Sequence, residues 1–209
     1  TGYTFAGWTI TSGSGTVTRT DTNYMAYVYQ QTGVGNTTIT AQWTANNHTV
    51  TFNANGGTVT PTSKVVMTEF EYGTLPTPTR TGYSFNGWYT ATSGGSKIES
   101  TTIVALSSDQ TLYAIWTANA YTVTFVYNNG SANTTKSVTY DSTYGTLPAP
   151  SRIGYTFLGW FDNNIEVSST TVVNITIDQT LNAKWSANTY EITFVYGNGT
   201  ANTTTSVTY

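Results

Sequence analysis

Apolar and polar residues alternate along several short stretches of this chain, with the period of two that half-buried strands require. In one stretch Tyr121, Val123, Phe125 and Tyr127 fall on one face, while two threonines and Val126 fall on the other. The same alternation returns at 112–116, 181–185 and 190–196. The pattern predicts a chain that is mainly β, with little helix.

Turn-forming residues separate these predicted strands. Asn-Gly pairs, which suit hairpins because they tolerate positive φ, stand at 55–56, 129–130 and 198–199. The proline pairs Pro76/Pro78 and Pro148/Pro150 interrupt any strand ladder and predict extended crossings. A single helical turn is predicted at 107–110, echoed at 177–179.

Three sequence landmarks return in fixed order, three times each. They are Gly-Tyr-x-Phe-x-Gly-Trp at 2–8, 82–88 and 154–160, a strand that ends at Trp43, Trp116 and Trp185, and a Thr-x-Thr-Phe type of strand at 48–52, 121–125 and 190–194. The closing tryptophans lie 73 and 69 residues apart, so the repeating unit has about 70 residues. We expect the landmark tryptophans to form the structural core: Trp8, Trp43, Trp88, Trp116, Trp160 and Trp185.

The repeat divides the chain into four predicted parts. They are residues 1–45, the C-terminal part of repeat 1; 46–117, repeat 2; 118–186, repeat 3; and 187–209, the N-terminal part of repeat 4. Since the two partial repeats are complementary, two interpretations are open. The sequence is a stretch of a longer tandem array, or the tail of one molecule completes the head of its neighbour. Both predict an open, head-to-tail assembly.

In its motifs, their order and their spacing, the chain resembles the Listeria–Bacteroides repeat family, which includes the B-repeat of internalin-type surface proteins. The resemblance implies small β-grasp-like domains in tandem on extracellular proteins, commonly as stalks or adhesin segments. It brings no catalytic residues and no cofactor. Familiar copies are rich in Lys, Asp and Glu, whereas this chain has 48 Thr, 17 Ser and only 8% charged residues.

The composition argues against several classes of function. The net charge is −3 and no basic run is present, so a nucleic-acid partner is not expected. No apolar stretch approaches the roughly 18 residues that a membrane-spanning helix needs. Without cysteine, disulfides and thiol chemistry are excluded. Few charges and abundant Thr and Asn favour an extracellular, cell-surface location.

Individual polar residues have structural interpretations. His48 takes the place of Tyr121 and Tyr190, and a lone His predicts neither a catalytic triad nor a metal site. Asp109 and Asp178 are predicted to cap a turn rather than to bind calcium.

The sequence also supports expectations for the arginines, the carboxylates and the lysines. Arg80 and Arg152 are expected to pack over an aromatic ring. The scattered carboxylates predict no glycosidase pair. A Lys–Asn isopeptide crosslink is disfavoured because no lysine is expected at a repeated position.

Asparagine glycosylation is the remaining chemical hypothesis. Candidate sites in Asn-x-Ser/Thr are Asn36, Asn47, Asn129, Asn133, Asn174, Asn198 and Asn202. This many sites is near the chance number for so Ser/Thr-rich a chain, but several stand at matched turns of successive repeats.

The sequence predicts a non-enzymatic extracellular structural protein that forms a cell-surface stalk, fibre or filament. The alternative is an adhesin module that binds glycans or host proteins through exposed tyrosines. Its candidate loop is the extra segment of the first copy, which carries Tyr24, Tyr27 and Tyr29. Neither function requires a cofactor or a metal.

Overall fold

A computed structural model of the chain describes residues 2–19, 27–30, 32, 33 and 35–209, with no account of the side chains of residues 19, 27 and 28. The described residues contain sixteen strands and no helix, so the prediction of a mainly β chain is confirmed. The chain divides into two compact units, one of residues 1–80 and 85–116, the other of residues 81–84 and 117–209.

The first nine strands lie between Tyr3 and Ala118. They are β1 (Tyr3–Ser12), β2 (Thr16–Arg19), β3 (Tyr27–Gln30), β4 (Thr38–Ala45), β5 (Asn47–Asn53), β6 (Ser63–Met67), β7 (Tyr83–Tyr89), β8 (Lys97–Ile98) and β9 (Gln110–Ala118). Strands β5 to β9 form a five-stranded sheet in the order β6-β5-β9-β7-β8, in which β5 and β9 run parallel. Strand β1 pairs with β4 and β2 pairs with β3, each as a two-stranded antiparallel sheet.

The remaining strands repeat this plan. They are β10 (Ala120–Val126), β11 (Thr134–Thr139), β12 (Tyr155–Asp162), β13 (Ile165–Val167), β14 (Gln179–Ala187), β15 (Thr189–Phe194) and β16 (Thr203–Thr208). The second five-stranded sheet has the order β11-β10-β14-β12-β13, with β10 and β14 parallel. Strands β15 and β16 form a separate antiparallel hairpin. Two similar mixed sheets confirm tandem repeats of one small β-grasp-like fold.

Each five-stranded sheet buries a core of nine residues, and the two cores differ in composition only by Ile98 in the first and Val167 in the second. The residues of the first core are Val50, Phe52, Val66, Tyr72, Trp88, Ile98, Val104, Leu112 and Ala114. Those of the second are Val123, Phe125, Val138, Tyr144, Trp160, Val167, Val173, Leu181 and Ala183. Trp116 and Trp185 pack against these cores while half-buried. Within each five-stranded sheet, alternate apolar residues of the strands therefore face the core of that sheet.

The buried tryptophans also satisfy their indole N–H groups. Trp88 Nε1 donates to the Pro76 carbonyl at 2.8 Å, and Trp160 Nε1 donates to the Pro148 carbonyl at 2.8 Å. Each proline segment thus crosses its core and accepts a bond there, because a buried indole needs a partner. Both tryptophans are 2% exposed.

Two of the predicted core tryptophans are not buried. Trp8 is 42% exposed and Trp43 is 59% exposed, although each contacts Phe5 edge-on. Their sheet consists of β1 and β4 alone among the described residues, so no strands equivalent to β5 and β6 cover them. For these two residues the core prediction is wrong within this chain.

The predicted helical turns are also absent. Residues 107–108 and 176–177 form bends, and the aspartate that follows each bend accepts a backbone N–H from the neighbouring strand. Asp109 Oδ1 accepts from Thr49 N at 2.7 Å, and Asp178 Oδ1 accepts from Thr122 N at 2.8 Å. Because a short polar side chain that bonds a strand competes with helical bonds, the segment enters the sheet instead.

Candidate assembly site at the repeat boundaries

A half-buried asparagine follows the last strand of each repeat and ties together two segments of the chain. In the first unit, Asn46 N donates to the Gly2 carbonyl at 2.9 Å, and Thr68 N donates to the Asn46 carbonyl at 3.0 Å. The side chain joins the same contact, since Thr4 Oγ1 donates to Asn46 Oδ1 at 2.7 Å. We call this arrangement the asparagine clasp.

The clasp occurs twice more, in both cases within the second unit. Asn119 N donates to the Gly82 carbonyl at 2.9 Å, and Tyr140 N donates to the Asn119 carbonyl at 2.9 Å. Asn188 takes the same place between Gly154 and Tyr209, at 2.8 and 3.0 Å. Ser84 and Thr156 supply the hydroxyls that donate to Asn119 and Asn188, at 2.7 Å each. The same geometry thus occurs three times, so the clasp is a regular feature of the boundary between repeats.

A tyrosine beside each clasp reaches a carboxylate or another ring. Tyr3 OH donates to the Glu69 carboxylate, and Tyr83 OH donates to Asp141 Oδ2 at 2.7 Å. The hydrogen bond to Glu69, followed by desolvation and by the carboxylate charge, raises the pKa of Tyr3 above its ordinary value. These contacts hold a strand end in place through a neutral donor and a carboxylate, without an ion pair.

The clasp needs glycine at one position. Gly82 and Gly154 have φ of +76° and +77°, and a Cβ there would overlap the rings of Tyr140 and Tyr209. Those rings pack edge-on against Tyr83 and Tyr155, with centroids 5.7 and 5.6 Å apart. The glycine of Gly-Tyr-x-Phe therefore serves the boundary between repeats as well as the turn.

Sequence reasoning missed the asparagine clasp. Its signal in the sequence is the Ala-Asn dipeptide that recurs at 45–46, 118–119 and 187–188. Since the partners of each asparagine are about 20 and 40 residues away along the sequence, spacing alone could not identify them.

The candidate glycosylation sites lie on the surface, with one exception. Exposed sites are Asn36, Asn47, Asn133, Asn174, Asn198 and Asn202. Asn129 is half-buried, and its amide donates to the Ser151 carbonyl at 2.9 Å while its oxygen accepts from Ser131 N at 2.9 Å. Its side chain is thus already engaged.

The predicted adhesive loop is only partly described. Tyr24 lies outside the described residues, and Tyr27 is placed on β3 by its backbone. Tyr29 is half-buried, and its hydroxyl donates to the Ser14 carbonyl at 3.2 Å. Tyr29 lines a cleft of about 200 Å³ with Trp8, Val17 and Ile39.

The lone histidine takes the place of Tyr121, since His48 pairs with Val66 as Tyr121 pairs with Val138. His48 is buried on β5, and its Nε2 has no hydrogen-bond partner among the described residues. No group of three His, Asp or Glu side chains that could hold a metal is found in the described part of the chain.

Several basic residues donate to backbone carbonyls. The guanidinium of Arg152 lies 3.8 Å above the Tyr155 ring, as predicted, and also donates to the Asn128 carbonyl at 3.3 Å. Lys64 donates to the Tyr72 and Thr74 carbonyls at 2.5 and 3.0 Å.

Lys136 does the same with Tyr144 and Thr146, at 2.6 and 2.9 Å. Lys64 and Lys136 therefore occupy equivalent positions, and the expectation that no lysine is repeated is wrong. A one-residue difference in the preceding turns hid the equivalence in the sequence.

Comparison with known proteins agrees with the motifs and the fold. The model of the Listeria–Bacteroides repeat domain matches residues 48–115 and 121–184, which begin on β5 and β10 and end on β9 and β14. The chain belongs to the Listeria–Bacteroides repeat family. The resemblance seen in the motifs is thereby confirmed, and the two matched segments coincide with the two five-stranded sheets.

Relatives of this repeat chain are much longer proteins. It is 35% identical to a "Putative membrane protein" of Evansella cellulosilytica over 165 residues, and this alignment covers 75% of this chain and 24% of that protein. It is 46% identical to "Internalin H" of Listeria monocytogenes over 85 residues, and this alignment covers 41% of this chain and 15% of that protein. The aligned part is thus a quarter or less of each relative. Among the described residues of this chain, no helix is long and apolar enough to cross a membrane.

Proposed function

We propose that the chain is a non-enzymatic structural segment of an extracellular, cell-surface protein, in which repeats follow one another as a stalk, fibre or filament. The observation that carries the proposal is the asparagine clasp, which recurs with partners at equivalent positions after β4, β9 and β14. A connection built the same way three times suits an array whose units are added in series.

The side chains at the surface support this function. Only 7 basic and 10 acidic residues are present, and the described residues contain one ion pair, between Lys97 and Glu99. Each repeat instead presents hydroxyls and amides around an aromatic core. A relative that carries the words "membrane protein" in its name supports a location at the cell surface.

The domain boundaries of the proposal are those of the repeat: 1–45, 46–117, 118–186 and 187–209. Glycans on the exposed asparagines, Asn133 and Asn202 in matched turns among them, would add solubility to a surface with few charges. Asn129 is the least suitable site because both ends of its amide are bonded.

Electron microscopy and intact mass of the native protein test the proposal together. The expected result is a fibre or stalk with a regular axial repeat, and, for a glycosylated protein, a mass above that of its bare polypeptide. For the 209 residues here the bare mass is 22.6 kDa. Native material seen as compact particles without a repeating axis would contradict the structural function.

A second candidate function is adhesion, and the cleft beside Tyr29 is the observation that favours it. Trp8, Val17, Tyr29 and Ile39 offer an apolar and aromatic surface next to the extra segment of the first copy. A stacking face of this kind suits a sugar ring or an apolar peptide side chain. An adhesin would lose binding to a glycan array or to host cells after Tyr24→Ala, Tyr27→Ala and Tyr29→Ala together, whereas a stalk would not.

A further inference from the structure

A cleft with a polar rim lies beside the buried tryptophan of repeat 2. It encloses about 440 Å³ between the proline segment at 74–77, strand β7 at 85–88 and the end of β8 at 97–100. All of these residues belong to one compact unit of the chain. The cleft is thus formed entirely within a complete repeat, and its volume is in the range of small-molecule sites.

The apolar surface of the cleft comes from Leu75, Pro76 and Phe85. The Phe85 ring packs edge-on against Trp88, with centroids 5.6 Å apart, and at a tilt against Trp116, at 5.4 Å. Trp88 in turn donates its indole N–H to the Pro76 carbonyl. These contacts fix the apolar wall in place without a ligand, which lowers the cost of binding one.

The rim of the cleft carries the ion pair between Lys97 and Glu99, whose Nζ and Oε1 atoms are 2.7 Å apart. The side chain of Lys97 lies over Gly87, since a Cβ there would come within 2.4 Å of Lys97 Cε. The hydrogen bond to Glu99, followed by the charge of that carboxylate, raises the pKa of Lys97, so the ammonium stays protonated. The two charges balance, and the side chains are still 44% and 59% exposed.

Repeat 3 builds an equivalent core without this rim. Glu166 takes the place of Lys97 in the strand pairing, and Ser168 takes the place of Glu99 in the turn that follows. Trp160 nonetheless donates to its proline segment as Trp88 does. The fold of the repeat therefore does not require the ion pair, and another role for the rim has to be sought.

We infer that this cleft of repeat 2 is a binding site for a neutral saccharide. A hydroxyl group both donates and accepts, so adjacent sugar hydroxyls can accept from the Lys97 ammonium and donate to the Glu99 carboxylate. The apolar face of the sugar ring packs against Phe85 and Leu75. An anion would be repelled by Glu99 and a cation by Lys97, and the balanced rim therefore favours an uncharged ligand.

The inference goes beyond the structural function proposed above and does not depend on it. The site also shares no residue with the cleft beside Tyr29, so the adhesive function of that segment is a separate question.

Nuclear magnetic resonance of the ¹⁵N-labelled 209-residue chain tests the site directly. The probes are four neutral disaccharides: cellobiose, maltose, lactose and N,N′-diacetylchitobiose. At about 20 mM, at least one of them should shift the amide signals of residues 74–77, 85–88 and 97–100, because a small open cleft holds a ligand with millimolar affinity. The matching segments of repeat 3, residues 146–149, 157–160 and 166–169, should show no shift.

Two rim variants remove the polar contacts one at a time. Lys97→Met removes the donor, and Glu99→Ala removes the acceptor. Each should weaken binding about tenfold, since a hydrogen bond to a charged group is lost. Both should keep the wild-type spectrum outside the cleft because the two side chains are exposed. The matched controls are Glu166→Met and Ser168→Ala in repeat 3, which should leave binding unchanged.

Inorganic phosphate and N-acetylleucinamide, at the same concentration, are the control ligands. Larger shifts of the cleft signals with phosphate would mean an anion site at Lys97, and larger shifts with the leucine amide would mean a site for an apolar peptide. Either result would overturn the inference. So would the absence of shifts with all four disaccharides, or equal affinity of the wild type and both rim variants. The structural function is decided separately by microscopy of the native protein.

Discussion

At the residue scale, the tryptophans of the two complete repeats, together with Lys64 and Lys136, donate to backbone carbonyls. Trp160 binds the Pro148 carbonyl, and Lys136 binds those of Tyr144 and Thr146. In both cases a side chain on a strand secures the segment 144–150, which belongs to none of the strands. Polar groups buried in this way cost free energy when a partner is removed.

Trp160→Phe should therefore destabilise the second unit by about 2–4 kcal/mol, since it removes core volume and leaves the Pro148 carbonyl unpaired. Trp43→Phe, at an exposed position, should cost about 0.5 kcal/mol or less in dilute solution. Urea unfolding followed by fluorescence measures both. Similar losses for the two variants would contradict the role of the buried indole.

Two buried tyrosines predict a pH dependence of stability. Burial raises the pKa of Tyr72 and of Tyr144 above the usual value; at Tyr144 the Gln179 hydrogen bond lowers it and the Asp162 charge raises it further. Their phenols stay protonated in the folded chain at a pH where the unfolded chain ionises. The stability that they contribute is thus present below about pH 10 and is lost as the pH rises through the folded pKa.

The free energy of unfolding, measured from about pH 9 to about pH 11, should fall with pH. It should fall less steeply after Tyr72→Phe with Tyr144→Phe, whereas Tyr209→Phe, at an exposed position, should leave the slope unchanged. An unchanged slope in the double variant would show that other groups cause the alkaline loss.

At the element scale, the conformation of single glycines decides how strands begin. Gly82 and Gly154 open β7 and β12 with positive φ, and each lies under a tyrosine ring. Gly130 also has positive φ, at +89°, but a Cβ there would meet no atom within 4 Å. Substitution of Gly130 therefore tests backbone strain alone, whereas substitution of Gly82 or Gly154 adds steric overlap with a tyrosine ring.

Gly154→Ala and Gly82→Ala should each destabilise the second unit more than Gly130→Ala does. Strain alone costs about 1–2 kcal/mol, and displacement of a tyrosine ring adds a further cost of about 1 kcal/mol or more. Thermal unfolding of the three single variants makes the comparison. Equal shifts would mean that the rings of Tyr140 and Tyr209 move aside without cost.

At the scale of the whole molecule, each repeat contains its own core. Every buried residue of the first core lies between Val50 and Ala114, and every one of the second lies between Val123 and Ala183. The predicted boundaries at 46–117 and 118–186 therefore enclose one core each. A boundary shifted by half a repeat would cut both.

A polypeptide of residues 46–117 should unfold as one cooperative transition in urea, because it retains all five strands of the first sheet. A polypeptide of residues 82–153, of the same length, should lack such a transition, since it separates Trp88 from Phe52 and Trp160 from Phe125. Cooperative unfolding of the second polypeptide alone would contradict the assigned boundaries.

The sequence by itself determined the repeat, the strands and the two matched cores, because these depend on local periodicity and on landmarks that recur within one chain. It also placed Trp88 and Trp160 correctly. The exposure of Trp8 and Trp43, the bonds of the three clasp asparagines and the equivalence of Lys64 with Lys136 were decided by the tertiary structure. Each depends on which distant strand lies alongside, and the pairing of strands far apart in the chain leaves no periodic trace in the residues that it joins.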